Sequence, residues 1–193
     1  TDQLSKLNNR RALMDHLGVQ SEMIRRYDKK RSVHMKETIC FMDLDNFKYY
    51  NDTFGHEAGD LLISCFAKLL KRIYRKVDFV ARFGGDEFVV MLPNTDCLEA
   101  KRAAERLSEG LEKAQYFLPE LCELLGKNAR IPVDKYLNFS MGICSNDELE
   151  DVSDLETIMN RADKALYYSK QHNKGSVTIW EEVPQLKEES AAN

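Results

Sequence analysis

Four carboxylates fall in two tight groups that one cation could bridge. Asp43-Leu44-Asp45 ends a short β-prone apolar run, Thr38 to Leu44, and Asp86-Glu87 follows directly on Gly84-Gly85. A buried strand that delivers a carboxylate at its carboxyl end is how α/β sheets place ligand sites. If the two flanking strands are sheet neighbours, the carboxylates converge on one rim. Converging carboxylates repel unless a cation lies between them, and hard oxygen donors suit Mg2+ with a phosphate completing its shell. The paired glycines let the backbone turn sharply and let a bulky phosphate come close. Taken singly each group is weak, since Asp-x-Asp is usually a solvated strand end and Gly-Gly-Asp a plain turn. Their combination is much less easily accidental.

The elements that must position these groups follow from periodicity. Residues 9 to 31 are rich in Arg and Lys, with Leu13, Leu17 and Ile24 spaced for an amphipathic helix. From Glu57, the positions Leu62, Phe66, Leu69, Leu70 and Ile73 make a helical stripe. Phe79 to Arg82 and Glu87 to Leu92 read as strands of a hairpin around the glycines. Asp96 with Glu99 opens a helix in capping-box fashion, predicted to turn Leu98, Ala104, Leu107 and Leu111 inward. Residues 115 to 137 read as an insertion with a short helix near 118 to 125, a loop before a core strand. Tyr136 to Cys144 and Ser176 to Trp180 are further strands. Between them Ser153 and Glu156 make a second capping box, followed by a buried face of Leu155, Ile158, Met159, Ala162 and Leu166. A polar tail, predicted to be disordered, begins at Glu181. Strands alternating with helices, plus one tight hairpin, give an α/β domain with a mixed sheet.

Composition removes other classes. The 193 residues suit one domain, expected over 1–180 with the insertion inside it. Such a chain buries about 70% of its unfolded surface and needs no metal or disulfide staple. The longest apolar run, Phe88 to Leu92, is five residues, far short of a membrane span. With 28 Lys and Arg against 32 Asp and Glu, no basic patch dominates, which argues against nucleic acid as a partner. Five cysteines at wide spacings support neither a zinc site nor a disulfide framework and read as buried thiols of a cytoplasmic domain. The chain opens at Thr1 without a signal-peptide pattern, and reads as a piece of a longer protein that could itself be membrane-anchored.

Arg82-Phe83-Gly84-Gly85-Asp86-Glu87-Phe88 resembles the signature of the GGDEF diguanylate cyclases. The resemblance extends to Leu4–Leu13, to the segment Asp43–Asp60 (DLDNFKYYNDTFGHEAGD), to Phe139–Gly142 and to Arg161–Lys170. It implies a palm-like nucleotidyl cyclase fold with a ferredoxin-like βαββαβ core, a central mixed sheet flanked by helices. It further implies condensation of two GTP into cyclic di-GMP with release of pyrophosphate. On that analogy Asp43, Asp86, the Leu44 carbonyl and Glu87 hold Mg2+ (or Mn2+). Asp86 takes the 3′-hydroxyl proton with Glu87 assisting, and Lys48 serves the triphosphate. Phe47, Asn51, His56, Asp60, Gly84, Gly85, Lys170 and Lys174 complete the substrate site. An Asp at 60 favours guanine, whose N1 and N2 donors adenine lacks. Arg75-x-x-Asp78 matches the family's product-inhibition motif, and Arg75 offers a fork for guanine or phosphate.

The resemblance also implies a homodimer, since each domain holds one GTP, and a sensory region ahead of Thr1. Departures stand at Ser5-Lys6, where Thr-Gly is usual, at Asn8, where Pro is usual, and at Lys174, where the family has Arg. A lysine there replaces a bidentate fork with a point charge. The competing reading is a catalytically silent domain that binds GTP or cyclic di-GMP for a partner; against it, the Gly-Gly-Asp-Glu-Phe segment is intact.

Overall fold

The apolar run begun at Thr38 becomes β1 (Glu37–Asp45), buried at every position. The computed structural model describes residues 1–31, 35–112 and 117–184. Because strand side chains alternate, β1 serves two cores. Ile39 and Phe41 pack with Leu13, Leu17 and Ile24 of α1 (Arg10–Arg31) and with Leu155, Ile158 and Ala162 of α6 (Leu155–His172). Cys40, Met42 and Leu44 face the opposite core, with Leu62 and Phe66 of α3 (His56–Ile73) and Ala104 and Leu107 of α4 (Cys97–Glu112).

The remaining strands are β2 (Phe79–Gly84), β3 (Glu87–Pro93), β4 (Asn138–Ser145) and β5 (Val177–Ile179). Among the described residues they form one sheet in the order β2-β3-β1-β4-β5. The first four pair antiparallel and β5 runs parallel to β4. With helices between β1 and β2 and between β3 and β4, this is the βαββαβ arrangement of a ferredoxin-like core, and the expected α/β class with a mixed sheet holds. Among the described residues no helix is long and apolar enough to cross a membrane.

Several local expectations need correction. Leu98 is 61% exposed, because the inward stripe of α4 is Ala100, Ala103, Ala104, Leu107 and Leu111. Leu98 lies two residues ahead of that stripe, about 200° around the helix. The Asp96–Glu99 capping box itself is present in both directions, at 3.0 and 2.8 Å. α6 is capped by Asp154 rather than Ser153: the Asp154 carboxylate accepts from the Thr157 amide (3.0 Å) and hydroxyl (2.7 Å). A carboxylate at that position also complements the helix dipole, which a hydroxyl does not.

A short helix, α2 (Phe47–Phe54), precedes α3 where none was expected. Residues 117–137 contain the expected helix, α5 (Leu118–Leu125), but they pack inward: Phe117, Leu121 and Leu137 join the core of α3 and α4. Positions 115 and 116 lie outside the described residues. Packing also continues past Trp180, since Trp180–Glu182 form a 3-10 turn and Val183 is 1% exposed. Of the expected tail, 185–193 lie outside the described residues. Lys6, where the family carries glycine, takes φ 56°, the left-handed conformation that a glycine would adopt without strain.

Gly142 sets the distance between β4 and α6. A Cβ there would stand 2.0 Å from the Ala162 carbonyl oxygen and 2.3 Å from the Leu166 amide nitrogen, both backbone. Gly142→Ala should therefore lower the unfolding free energy by about 1–3 kcal/mol, the range for overpacking; an unchanged urea midpoint would contradict this contact.

Glu37 supplies a pH prediction. It opens β1 at 4% exposure. Burial, reinforced by the negative charge of Asp78, pushes its carboxyl from the ordinary 4.5 up to about 7. A raised carboxyl contributes stability that is fully present below the unfolded value and lost as pH rises through the folded one. Relative to Glu37→Gln, the natural chain should therefore lose on the order of 3 kcal/mol between about pH 4.5 and 7 and no more above it. Parallel urea titrations of the two proteins, unchanged relative to each other across that window, would rule this out.

Candidate active site

The register of β1 against β3 brings the two acidic groups together. Asp43 stands directly opposite Glu87, and the Leu44 amide donates to the Asp86 carbonyl at 3.2 Å. Asp43 is 8% exposed, and Lys170 near the end of α6 holds its Oδ1 at 2.7 Å. Burial pushes the Asp43 carboxyl up to about 6; the Lys170 contact opposes this, and the negative charges of Asp86 and Glu87 reinforce it. Asp43, Asp86 and Glu87 thus share this rim with the Lys170 ammonium. Lys170, expected at the substrate, sits on the Asp43 carboxylate at this rim.

The hairpin between the strands is held from outside. The Arg82 guanidinium donates twice to the Gly85 carbonyl (2.9 and 2.8 Å) and pairs with Asp2 at 3.2 Å. A Cβ at Gly85 would meet nothing within 4 Å, so the surface above the turn is open to a ligand. Arg82 belongs to the signature segment, but its role is visible only here, where it ties the chain's opening turn to the glycine pair.

Among the described residues, no three His, Cys, Asp or Glu side chains are grouped closely enough to cage a metal. Such a sparse set does fit Mg2+, which is commonly held by one or two carboxylates while substrate phosphates and water supply the rest. The Lys170 ammonium sits on Asp43, whose carboxyl is raised chiefly by burial, with Asp86 and Glu87 adding to the shift.

The second group of expected residues lies just beyond Asp45. α2 carries Phe47, Lys48 and Asn51, and the first turns of α3 carry His56 and Asp60. Asn51 is brought against α3 at Gly59: a Cβ there would fall 2.0 Å from Asn51 Oδ1 and 3.2 Å from the Phe47 ring. Gly59 was missed from sequence, although a glycine inside a helix costs about 1 kcal/mol against alanine and so signals a packing need. His56 and Asp60 are exposed. Lys48 is also exposed and pairs with Asp52 at 3.1 Å. Lys174 acts electrostatically on Asp45, whose Oδ2 accepts from Ser140 at 2.8 Å. It thus stands near the neighbouring carboxylate.

Arg75 and Asp78 lie elsewhere. Asp78 Oδ2 accepts from the Arg75 amide (2.7 Å), closing a turn that presents the Arg75 side chain to a pocket of about 210 Å3. Tyr74, Thr95, Arg102 and Arg106 also line it. The two α4 arginines were not anticipated; their i,i+4 spacing was the available signal. Leu92 borders the pocket and Glu87 the rim, so five residues of β3 separate the sites by about 17 Å.

Comparison with known proteins is consistent across sequence and fold. The family model described as "Diguanylate cyclase, GGDEF domain" matches residues 1–176. Diguanylate cyclase A of Treponema denticola is 38% identical over 170 residues, covering 86% of this chain and 39% of that protein. Diguanylate cyclase DgcP of Escherichia coli is 31% identical, over 90% of this chain and 45% of that protein. The chain thus spans less than half the length of these two relatives. The GGDEF domain of DgcB from Caulobacter crescentus, solved in complex with c-di-GMP, superposes with a TM-score of 0.72 at 25% identity, covering 94% of this chain and 95% of that one. Diguanylate cyclase SiaD of Pseudomonas aeruginosa, solved with its activator SiaC, gives 0.74 at 26% identity, over 92% of this chain and 60% of that one. With the signature carried on the β2–β3 hairpin of a ferredoxin-like sheet and the family model matching nearly end to end, this chain belongs to the GGDEF family of diguanylate cyclase domains.

Proposed function

We propose that this chain, over residues 1–180, is the catalytic domain of a diguanylate cyclase that joins two GTP into cyclic di-GMP and releases two pyrophosphates. The observation that carries the reading is the rim where Asp43 faces Glu87 beside Asp86, shared with the Lys170 ammonium. Asp86 accepts the proton of the attacking 3′-hydroxyl, with Glu87 beside it, as the O3′–Pα bond forms and the bond to pyrophosphate breaks. Asp43, Asp86, Glu87 and the Leu44 carbonyl would hold Mg2+ or Mn2+, which when bound neutralises phosphate charge and favours the alkoxide.

The open surface at Gly84-Gly85 admits the phosphates. Lys48 and Phe47 flank them from α2, and Lys170 and Lys174 from the end of α6. Asn51 and Asp60, with His56 at the helix start, read guanine across the α2–α3 junction. One domain binds one GTP, so the productive species is a pair of chains facing each other, brought together by a sensory region preceding this segment. The product regulates its own synthesis at the Arg75–Asp78 pocket, with Arg102 and Arg106 adding positive charge there.

Incubation with GTP and Mg2+ should give pyrophosphate and cyclic di-GMP. Asp43→Asn and Asp86→Asn should each lower the rate by at least about a hundredfold, a loss of roughly 2.7 kcal/mol of transition-state stabilisation, with melting curves that still show a cooperative transition. Turnover near the natural level in either variant would refute the carboxylate assignment. A wild-type chain that binds cyclic di-GMP but releases no pyrophosphate would instead make it a silent regulatory module.

Arg75→Ala should relieve inhibition by cyclic di-GMP and weaken its binding about tenfold or more, as expected for loss of a charge-assisted contact. Equal binding by both proteins in a calorimetric titration would reduce Arg75 and Asp78 to a structural turn.

A further inference from the structure

We infer that residues 117–137 set the position of α2, and that Asn46 and Tyr50 are the positioning residues through which they do so. This rests on the reading above, in which α2 carries part of the nucleotide site. α2 has eight residues, too few to hold a helix on its own. Its entrance has no side-chain cap: Asn46 takes φ 64°, and its side chain makes no capping bond to the helix. The Asn46 amide turns away, donating to the Tyr136 carbonyl (3.0 Å) and the Asp134 carbonyl (3.4 Å). One turn later, the Tyr50 hydroxyl donates to the Lys135 carbonyl at 2.9 Å. Three consecutive carbonyls of one short turn, Asp134 to Tyr136, thus accept from Asn46 and Tyr50, and the Leu137 backbone bonds the Tyr50 hydroxyl as well.

Apolar contact fixes the same attachment. Tyr50 is 0% exposed, and its ring meets Phe117 edge-on at 5.6 Å. Asn46 precedes the helix and Tyr50 is buried, whereas Lys48 stays exposed and Phe47 and Asn51 stay half-buried. The segment can therefore grip α2 without covering the side chains assigned to the ligand. Preorganising a short element in this way lowers the ordering cost of binding.

Two conservative variants test this. Tyr50→Phe keeps the ring and removes only the hydroxyl; Asn46→Gly keeps the left-handed backbone and removes only the amide. Titration with the non-reacting analogue guanosine 5′-(α,β-methylene)triphosphate should show each variant binding about three- to tenfold more weakly, the scale of one or two lost hydrogen bonds. The KM for GTP should rise in step while kcat stays within about twofold, and cyclic di-GMP affinity at the remote Arg75 pocket should be unchanged. Equal analogue affinity in wild type and both variants overturns the inference alone. So does a parallel loss of analogue and cyclic di-GMP binding, which would mark a general loss of structure. A wild-type chain that binds no analogue overturns the functional reading and the inference with it.

Discussion

Glu37 to Asp45 is buried along its whole length, so β1 cannot slide against β3 by one residue without exchanging its two faces. A slip would move Ile39 and Phe41 out of the core under α1 and α6, and would turn Asp43 away from Lys170. The hydrophobic cost of that exchange holds the register, and the register holds the chemistry: Asp43 opposite Glu87, with Leu44 bonded to Asp86. Other features serve the same pairing. Gly142 lets α6 approach until Lys170 reaches Asp43, and Arg82 pins the turn that carries Asp86 and Glu87.

A buried carboxyl raised to about 6, with two more acids beside it, is a poor contribution to the fold. Lys170 offsets part of the repulsion without closing the site, since its own side chain stays about one-third exposed. At the other end of β3, the 210 Å3 pocket gathers Arg75, Arg102 and Arg106, with Asp78 and Glu99 also on its lining. β3, lying between β2 and β1, joins the two ends.

Residues 117–137 illustrate how little a loop's composition says about its role. Gly126 and Pro132 mark turns and Pro119 opens α5, but the sequence shows that helix without showing what it packs against. Yet Phe117, Leu121 and Leu137 enter the core, and the turn at 133–135 receives Asn46 and Tyr50.

The sequence by itself determined the family, the strand and helix pattern, and the residue types at the rim, because those depend on local periodicity and on short ordered motifs. It also placed the hairpin at Gly84-Gly85 and the buried face of α6, which are local events. What only the tertiary structure decided is where side chains point once distant segments meet. Lys170 turning onto Asp43 spans 127 positions along the chain, and Arg82 reaching Asp2 spans 80. Arg102 and Arg106 joining Arg75, Asn51 lying against Gly59, and Leu98 facing solvent are likewise outcomes of packing between elements. Such choices rest on which surface each helix buries and how closely backbones approach, and a pattern of residue types carries neither distance.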